Sequence, residues 1–383
     1  MDLHSRGFSH DYISLTSSQV KQSIHVEERI VSVKMSKRSI EFKDVVVSEK
    51  RKRLDGDTMV RVGREIAVPQ KKHSMKRPIT LLTGHDGEIF TTKFHPAGTV
   101  IASAGADRSI FLWSTRGDCD NYMTLKSAHS HTMTELQFSV TGDRLFSCSA
   151  DKAIIIWDSI TGSRLKKLRA HHTYVNSIST APGNVNLLAS VGDDRTLNVW
   201  DLRQRRVAHS FEDRYQLTAV SINKSADQVM VGGIENSINV WDLKRGKIHY
   251  TMAGHTDTIT GLSLSPDGQH LLSNSMDNTL KCWNVQPFAS DASRLEKTFL
   301  GHQHNHEKNL LRCSWAPDQG MVTAGSSDGS VHIWNYNSYE KIFQLAGHQS
   351  SVNEVVFSPT EQLIASCGSD KQMLLRELDY GSI

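Results

Sequence analysis

A spacing of about forty residues recurs through this chain, and no other feature restricts its fold so severely. An acidic residue stands six positions before a tryptophan at Asp107/Trp113, Asp151/Trp157, Asp194/Trp200, Glu235/Trp241, Asp277/Trp283 and Asp328/Trp334, and a seventh copy, Asp370/Arg376, lacks the tryptophan. Successive tryptophans are 44, 43, 41, 42 and 51 residues apart. In most copies a histidine precedes the acidic residue by 22 or 23 positions. A period of ~20 to 50 residues belongs to solenoids, propellers and similar arrays, whose single units cannot bury an apolar face alone.

The interior of each unit reads as short strands separated by turn chemistry. In the first, Ile89 to Phe94, Val100 to Ala104, Ile110 to Trp113 and Tyr122 to Leu125 are strands, with His95-Pro96-Ala97-Gly98 and Gly105-Ala106-Asp107-Arg108 as turns. The segments Ser139-Val140-Thr141-Gly142, Ser265-Pro266-Asp267-Gly268 and Ala316-Pro317-Asp318-Gln319 repeat the first of these turns in later units. Four antiparallel strands in a unit of this length make a propeller blade, so the expected fold is all-β with seven blades. The seventh unit ends after its third strand, Met373 to Leu378, and a spare strand, Ile79 to Leu82, precedes the first unit. If that strand completes the last sheet, the ring is latched and leaves no open edge. The expected organisation is an extension over 1–77 and a propeller over 78–383.

Charge separates these two parts. Residues 1–77 hold 17 Lys and Arg against 10 Asp and Glu, whereas the rest holds 27 against 31. The extension is polar and without repeat, and such segments seldom bury enough apolar surface to offset the entropy of ordering, so it is expected to be mostly disordered. Lys50, Arg51, Lys52 and Arg53 form a cluster suited to nuclear import. The mild acidity of the repeats argues against broad phosphate binding by their surface. The chain has no run of 18 apolar residues and Met1 to His10 lacks an apolar core, so neither membrane insertion nor secretion is expected. Five scattered cysteines, Cys119, Cys148, Cys282, Cys313 and Cys367, read as free thiols in a reducing compartment.

A Gly-His before the first strand, a Ser-x-Ser/Gly-x-Asp turn and Trp-Asp at the end of the third resemble the WD-repeat family. That resemblance implies a hydrogen-bonded His, Ser, Asp and Trp set in each regular blade. The full sets are His85, Ser103, Asp107, Trp113; His129, Ser147, Asp151, Trp157; His171, Ser190, Asp194, Trp200; and His255, Ser273, Asp277, Trp283. Their role is structural, since mutual satisfaction of buried polar groups locks local geometry. The fourth unit keeps only Trp241-Asp242, with Val231 and Glu235 at the Ser and Asp positions, and is expected to be held by apolar packing alone. Unit six has Ala324 for the serine and pairs His302 with Asp328; unit seven has Arg376 for the tryptophan.

The loops carry a narrower resemblance. Gly117 to Tyr122, Ser275 to Thr279, Pro287-Phe288-Ala289 and Glu307 to Trp315 are similar to the WD-repeat subunits of the spliceosomal U5 small nuclear ribonucleoprotein. This implies a nuclear, non-catalytic scaffold in pre-mRNA splicing. Its partners would be spliceosomal proteins, chiefly the large central U5 scaffold protein, within an RNA-containing particle but without sequence-specific RNA contacts. Neither membrane nor small-molecule substrate is expected.

Other chemistry is sparse. His302, His304 and His306 with Glu307 read as a surface loop containing one core histidine rather than a metal centre. His/Ser/Asp coincidences are absorbed by the blade pattern, and no phosphate-binding Gly-rich loop occurs, so no catalytic residue, cofactor or metal is expected. Trp200-Asp201-Leu202-Arg203 resembles the box by which some WD-repeat substrate receptors dock onto a cullin-type ubiquitin ligase, which supplies the alternative function. In WD-repeat proteins the narrower face binds partners. Two rings would line it here: Glu88, Thr132, Tyr174, Gln216, Thr258, Asn309, Ser351 and Ala106, Ala150, Asp193, Ile234, Met276, Ser327, Ser369. Tyr174, Asp193, Tyr215, Ile234 and Met276 are the partner-binding candidates, because a few large anchors dominate most interfaces.

Overall fold

A computed structural model describes residues 79–378 apart from 205, 290–292 and 306. The expected extension over 1–77, with Lys50, Arg51, Lys52 and Arg53, therefore lies outside the described residues. Within them are 28 strands, numbered β1 to β28 in chain order, and no helix. They form seven four-stranded antiparallel sheets, the all-β propeller anticipated from the repeat.

Each sheet is a run of four consecutive strands, with one exception. Blade 1 is β2 (Ile89–Phe94), β3 (Val100–Gly105), β4 (Ile110–Ser114) and β5 (Asn121–Leu125). Blades 2 to 6 repeat the order from the inner strands β6 (Met133–Phe138), β10 (Val175–Ala181), β14 (Leu217–Ile222), β18 (Ile259–Leu264) and β22 (Cys313–Trp315). Blade 7 is β26 (Val352–Phe357), β27 (Leu363–Gly368), β28 (Met373–Glu377) and, as its fourth strand, β1 (Ile79–Leu82). In that last pair Ile79 faces Arg376 and Leu82 faces Met373. Inner strands touch in the cyclic order β2, β6, β10, β14, β18, β22, β26 and back to β2.

The apolar core is accordingly divided into seven, one between each pair of adjacent sheets. Ile89, Ile101 and Trp113 of blade 1 pack on Val356, Leu363 and Met373 of blade 7. Phe146 and Ile156 of blade 2 meet Ile178 and Trp200 of blade 3. Continuous burial of the inner strands follows, because both faces of each sheet are covered. The turn after each second strand places a residue in the left-handed region: Arg108, Lys152, Arg195, Asn236, Asn278, Gly329 and Lys371 have φ between 62° and 75°. Six of these stand directly after the repeat aspartate, whose Oδ1 accepts the amide two residues on, as Asp277 does from Thr279 at 2.9 Å and Asp328 from Ser330 at 2.9 Å. That Asx contact offsets the ~1 kcal/mol cost of the conformation for a residue with a Cβ.

Candidate functional site

Regular blades carry a linear relay of hydrogen bonds from the middle of the sheet to the turn. In blade 2, Trp157 Nε1 donates to Ser147 Oγ at 2.9 Å, Ser147 lies 2.7 Å from His129 Nε2, and His129 Nδ1 lies 3.0 Å from Asp151. Every donor is used once if the serine hydroxyl donates to Nε2 and the proton sits on Nδ1. Blades 1, 3 and 5 repeat it: His85 to Asp107 at 2.7 Å, His171 to Asp194 at 3.0 Å and His255 to Asp277 at 2.8 Å, with Ser103, Ser190 and Ser273 accepting from Trp113, Trp200 and Trp283. Burial pushes the carboxyls of Asp151, Asp194 and Asp277 up, but hydrogen bonds and attraction from the histidines outweigh it and hold them below the usual carboxylate range. The serine hydroxyls are buried and committed on both sides, which leaves no solvent-facing nucleophile in these sets.

Three blades depart from the full relay, and two of them, blades 4 and 6, correct a sequence expectation. Blade 4 is not held by apolar packing alone. Asn239 Nδ2 donates to Asp213 at 3.1 Å and lies 3.4 Å from Glu235, while Thr251 donates to Asn239 at 2.9 Å. Trp241 stacks on Phe211 at 5.2 Å, and its Nε1 is buried without a partner. In blade 6 the expected pair of His302 and Asp328 does not form. His302 Nε2 meets Asn274 Oδ1 of blade 5 at 2.7 Å, and Asp328 is taken by His332 at 3.1 Å. Inserted residues after His302 carry its ring toward the neighbouring blade, and His332, on the third strand, fills the vacated position. Blade 7 keeps His348, Ser366 and Asp370, with Arg376 donating to Ala346 O at 2.5 Å.

The two residue rings anticipated for one face are joined in pairs by backbone hydrogen bonds. The amides of Ala106, Ala150, Asp193, Ile234, Met276 and Ser369 donate to the carbonyls of Glu88, Thr132, Tyr174, Gln216, Thr258 and Ser351 at 2.8–3.2 Å. Blade 6 differs, since Ser327 pairs with Gln303 rather than Asn309. Over blades 2 to 4 the rings open into a shallow groove of about 570 Å³ whose walls include His131, Lys152, Tyr174, Asp193 and Gln216. Tyr174, Tyr215 and Ile234 are 53%, 49% and 46% exposed, an unusual concentration of large side chains in water on one arc. Asp193 is held by Asn176 Nδ2 at 2.7 Å, and Met276 is half-buried in blade 5.

Beneath this face lies an ionic cluster that repeat logic missed. In four of the seven blades the third residue of the inner strand bonds an amide of the next blade. Glu354 accepts from Thr92 N at 2.8 Å, Thr91 from Leu136 N at 3.1 Å, Glu135 from Ile178 N at 3.0 Å and Ser177 from Val220 N at 3.3 Å. In blades 4 and 5 that position is Ala219 and Gly261, which cannot bond. Arg312, just before β22 and 5% exposed, takes over: its guanidinium donates to the carbonyls of Asn176 at 2.7 Å, Thr218 at 3.2 Å and Thr260 at 3.0 Å. It lies 3.6 Å from Glu135, while Lys93 pairs with Glu354 and sits 4.0 Å from Glu135. Two cations thus balance two carboxylates, the condition under which buried charge is tolerated. The available signal was a charged residue within an inner strand, at Lys93, Glu135 and Glu354.

Arg203, in the turn after the third strand of blade 3 (Thr196–Asp201), folds its guanidinium onto Asp201, with Nη2 to Oδ2 at 2.7 Å and Nε to Oδ1 at 3.0 Å. Those hydrogen bonds push the Asp201 carboxyl down to about 2. Among the described residues no group of three or more His, Cys, Asp or Glu side chains is placed to hold a metal ion.

Comparison with known sequences accords with this architecture. The model of the WD domain, G-beta repeat, matches residues 76–114, 121–158, 162–201, 246–284, 293–335 and 339–375. The unmatched stretch between the third and fourth matches holds most of degenerate blade 4. The chain is 48% identical over 312 residues to the U5 small nuclear ribonucleoprotein 40 kDa protein of Homo sapiens, covering 82% of this chain and 87% of that protein. It is 43% identical to the protein of the same name from Dictyostelium discoideum, covering 82% and 89%. The pre-mRNA-splicing factor cwf17 of Schizosaccharomyces pombe is 38% identical over 330 residues, covering 86% and 95%. Blade geometry, repeat matches and similarity over more than four fifths of the chain together make this chain a member of the WD-repeat family, with the U5 40 kDa proteins and cwf17 among its relatives.

Proposed function

We propose that the chain is a non-catalytic protein-interaction scaffold of the U5 particle, acting in pre-mRNA splicing in the nucleus. The observation that carries this is the 48% identity extending over 87% of the human U5 40 kDa protein. Similarity of that extent includes the loops, where the blade pattern imposes little, and loops are where binding surfaces reside. The contact surface we assign is the ring face over blades 3 to 5, where Tyr174, Tyr215, Ile234 and Met276 supply aromatic and apolar groups and Tyr174 and Asp193 help to line the shallow groove. Its proposed occupant is the large central scaffold protein of the particle. The buried, mutually satisfied Ser-His-Asp sets support a non-catalytic role, since their hydroxyls cannot reach a substrate.

The test is capture of the tagged full chain from nuclear extract at low and high salt, with identification of bound RNA and proteins. Recovery of U5 RNA and U5 proteins at both salts supports the proposal, and their absence overturns it. Tyr174→Ala combined with Met276→Ala should lower recovery at least tenfold; unchanged recovery would remove this face as the contact surface. Arg203→Ala should leave recovery unchanged, whereas selective loss of a ubiquitin-ligase adaptor in that variant would favour the substrate-receptor alternative.

A further inference from the structure

We propose that Arg312 is a positioning residue for the partner-binding arc: from blade 6 it reaches across the channel and sets the height and register of the ring face over blades 3, 4 and 5. The inference rests on the assignment of that arc as the contact surface. Its geometry is specific. The three carbonyls that Arg312 holds belong to Asn176, Thr218 and Thr260. Each lies two residues after a ring residue, Tyr174, Gln216 and Thr258 respectively. Those three residues in turn accept the amides of Asp193, Ile234 and Met276. One planar guanidinium therefore fixes three consecutive ring pairs, and these are the pairs that hold Tyr174, Asp193, Ile234 and Met276.

Side chains on the arc extend the linkage. Asn176, whose carbonyl takes the shortest of the three bonds, donates through Nδ2 to Asp193 Oδ1 at 2.7 Å and to Leu217 O at 2.8 Å. Blade 3 is tied to blade 4 at the level of the groove. Thr218 Oγ1 donates to Ile259 O and contacts Gly232 O, two residues before Ile234. Thr260 Oγ1 donates to Leu311 O at 2.8 Å, beside Arg312 itself. The substitution of Ala219 and Gly261 for the stitching side chains of other blades explains why this arc needs an outside support. Gly261 also makes room for it, since a Cβ there would stand 3.1 Å from Arg312 Cα.

Lysine and arginine separate charge from geometry at this site. An ammonium could remain near Glu135, but it cannot direct a rigid planar fork at three carbonyls. The readout is exchange of individual amides in the full chain. The amides of Asp193, Ile234 and Met276 report the arc, and those of Ala106, Ala150 and Ser369, which make the equivalent bonds in blades 1, 2 and 7, are internal controls. In Arg312→Lys we expect exchange at the three arc amides to rise at least tenfold with the controls unchanged, and recovery of U5 components from nuclear extract to fall by a similar factor. Asn176→Ala, with Arg312 intact, should loosen Asp193 and Ile234 but not Met276. A uniform rise across all six amides, or no rise, would overturn the positioning role. If the arc amides respond as expected while neither Arg312→Lys nor the Tyr174/Met276 double variant alters recovery, positioning stands and the assignment of the contact surface fails.

Discussion

His302 Nε2 donates to Asn274 Oδ1 over 2.7 Å, across the boundary between blades 5 and 6, instead of to a carboxylate in its own turn. A histidine facing an amide oxygen gains no ionic stabilisation on protonation. Burial and the nearby His304 and His332 push its pKa down to about 3, with Asp277 and Asp328 too weakly coupled to restore it. The relay histidines of regular blades face aspartates directly, so this one bond marks blade 6 as electrostatically different.

Acid sensitivity follows. With a folded pKa near 3 and an ordinary value near 6.5, the unfolded chain binds the proton first. Stability is complete above about pH 6.5 and is lost progressively as pH falls toward 3. His304, lowered to about 4 mainly by burial, adds to the loss in the same window. Asp151, Asp194 and Asp277 add a later loss: their depressed pKa values give stability that is full above the ordinary carboxylate value of 3.8 and declines as pH falls below it. The denaturant midpoint should fall between pH 7 and pH 5, and His302→Gln, which keeps an N–H for Asn274, should make the profile shallower in that interval. An identical slope in the variant would exclude His302 as a source.

Ser147 is the hub of the blade 2 relay, accepting from Trp157 and serving His129. Ser147→Ala strands two buried polar atoms, each with a desolvation penalty of about 1–3 kcal/mol. Chemical denaturation should show a loss of at least 1 kcal/mol, whereas Ser163→Ala, on an exposed turn, should change little.

Blade 4 invites the opposite experiment. Val231 occupies the position of Ser147 by register, facing Asn239 as Ser147 faces Ile155, and Trp241 Nε1 is an unpaired buried donor. Val231→Thr supplies an oxygen there, so stability should hold or rise by up to about 1 kcal/mol. The same change at Val240, also fully buried, buries a hydroxyl with no such donor and should destabilise. Equal losses at both sites would contradict this account of Trp241.

All five cysteines are buried, and burial pushes the thiols of Cys148, Cys282 and Cys313 up to about 12. Thiolate is the reactive form. A thiol reagent at pH 8 should therefore find none of the five in the native chain and all five in denaturant; rapid native labelling of any one would show that its blade opens.

How much was legible depended on the range of each contact. Strand positions, turns and the four complete relays lie within single units, so a forty-residue period revealed the strands and turns, and the resemblance to WD repeats supplied the relays. Blade 6 was misread because inserted residues break that period: His302 stands 26 residues before Asp328 rather than 22 or 23, and its ring turns to Asn274 instead. Blade 4 was misread because Asp213 and Asn239 build a polar set from residue types outside the relay pattern.

By itself, then, the sequence determined an all-β array of seven blades and, through its resemblance to WD repeats, the residues that hold the regular blades internally, since those interactions are local and repeat. Only the tertiary structure decided what the blades do to one another. Arg312 meets Asn176 across 136 positions, and Glu354 meets Thr92 across 262, because closing a ring brings inner strands together regardless of their separation along the chain. No periodicity encodes such contacts. They depend on the shared axis, where the two cations and two carboxylates can neutralise one another away from water.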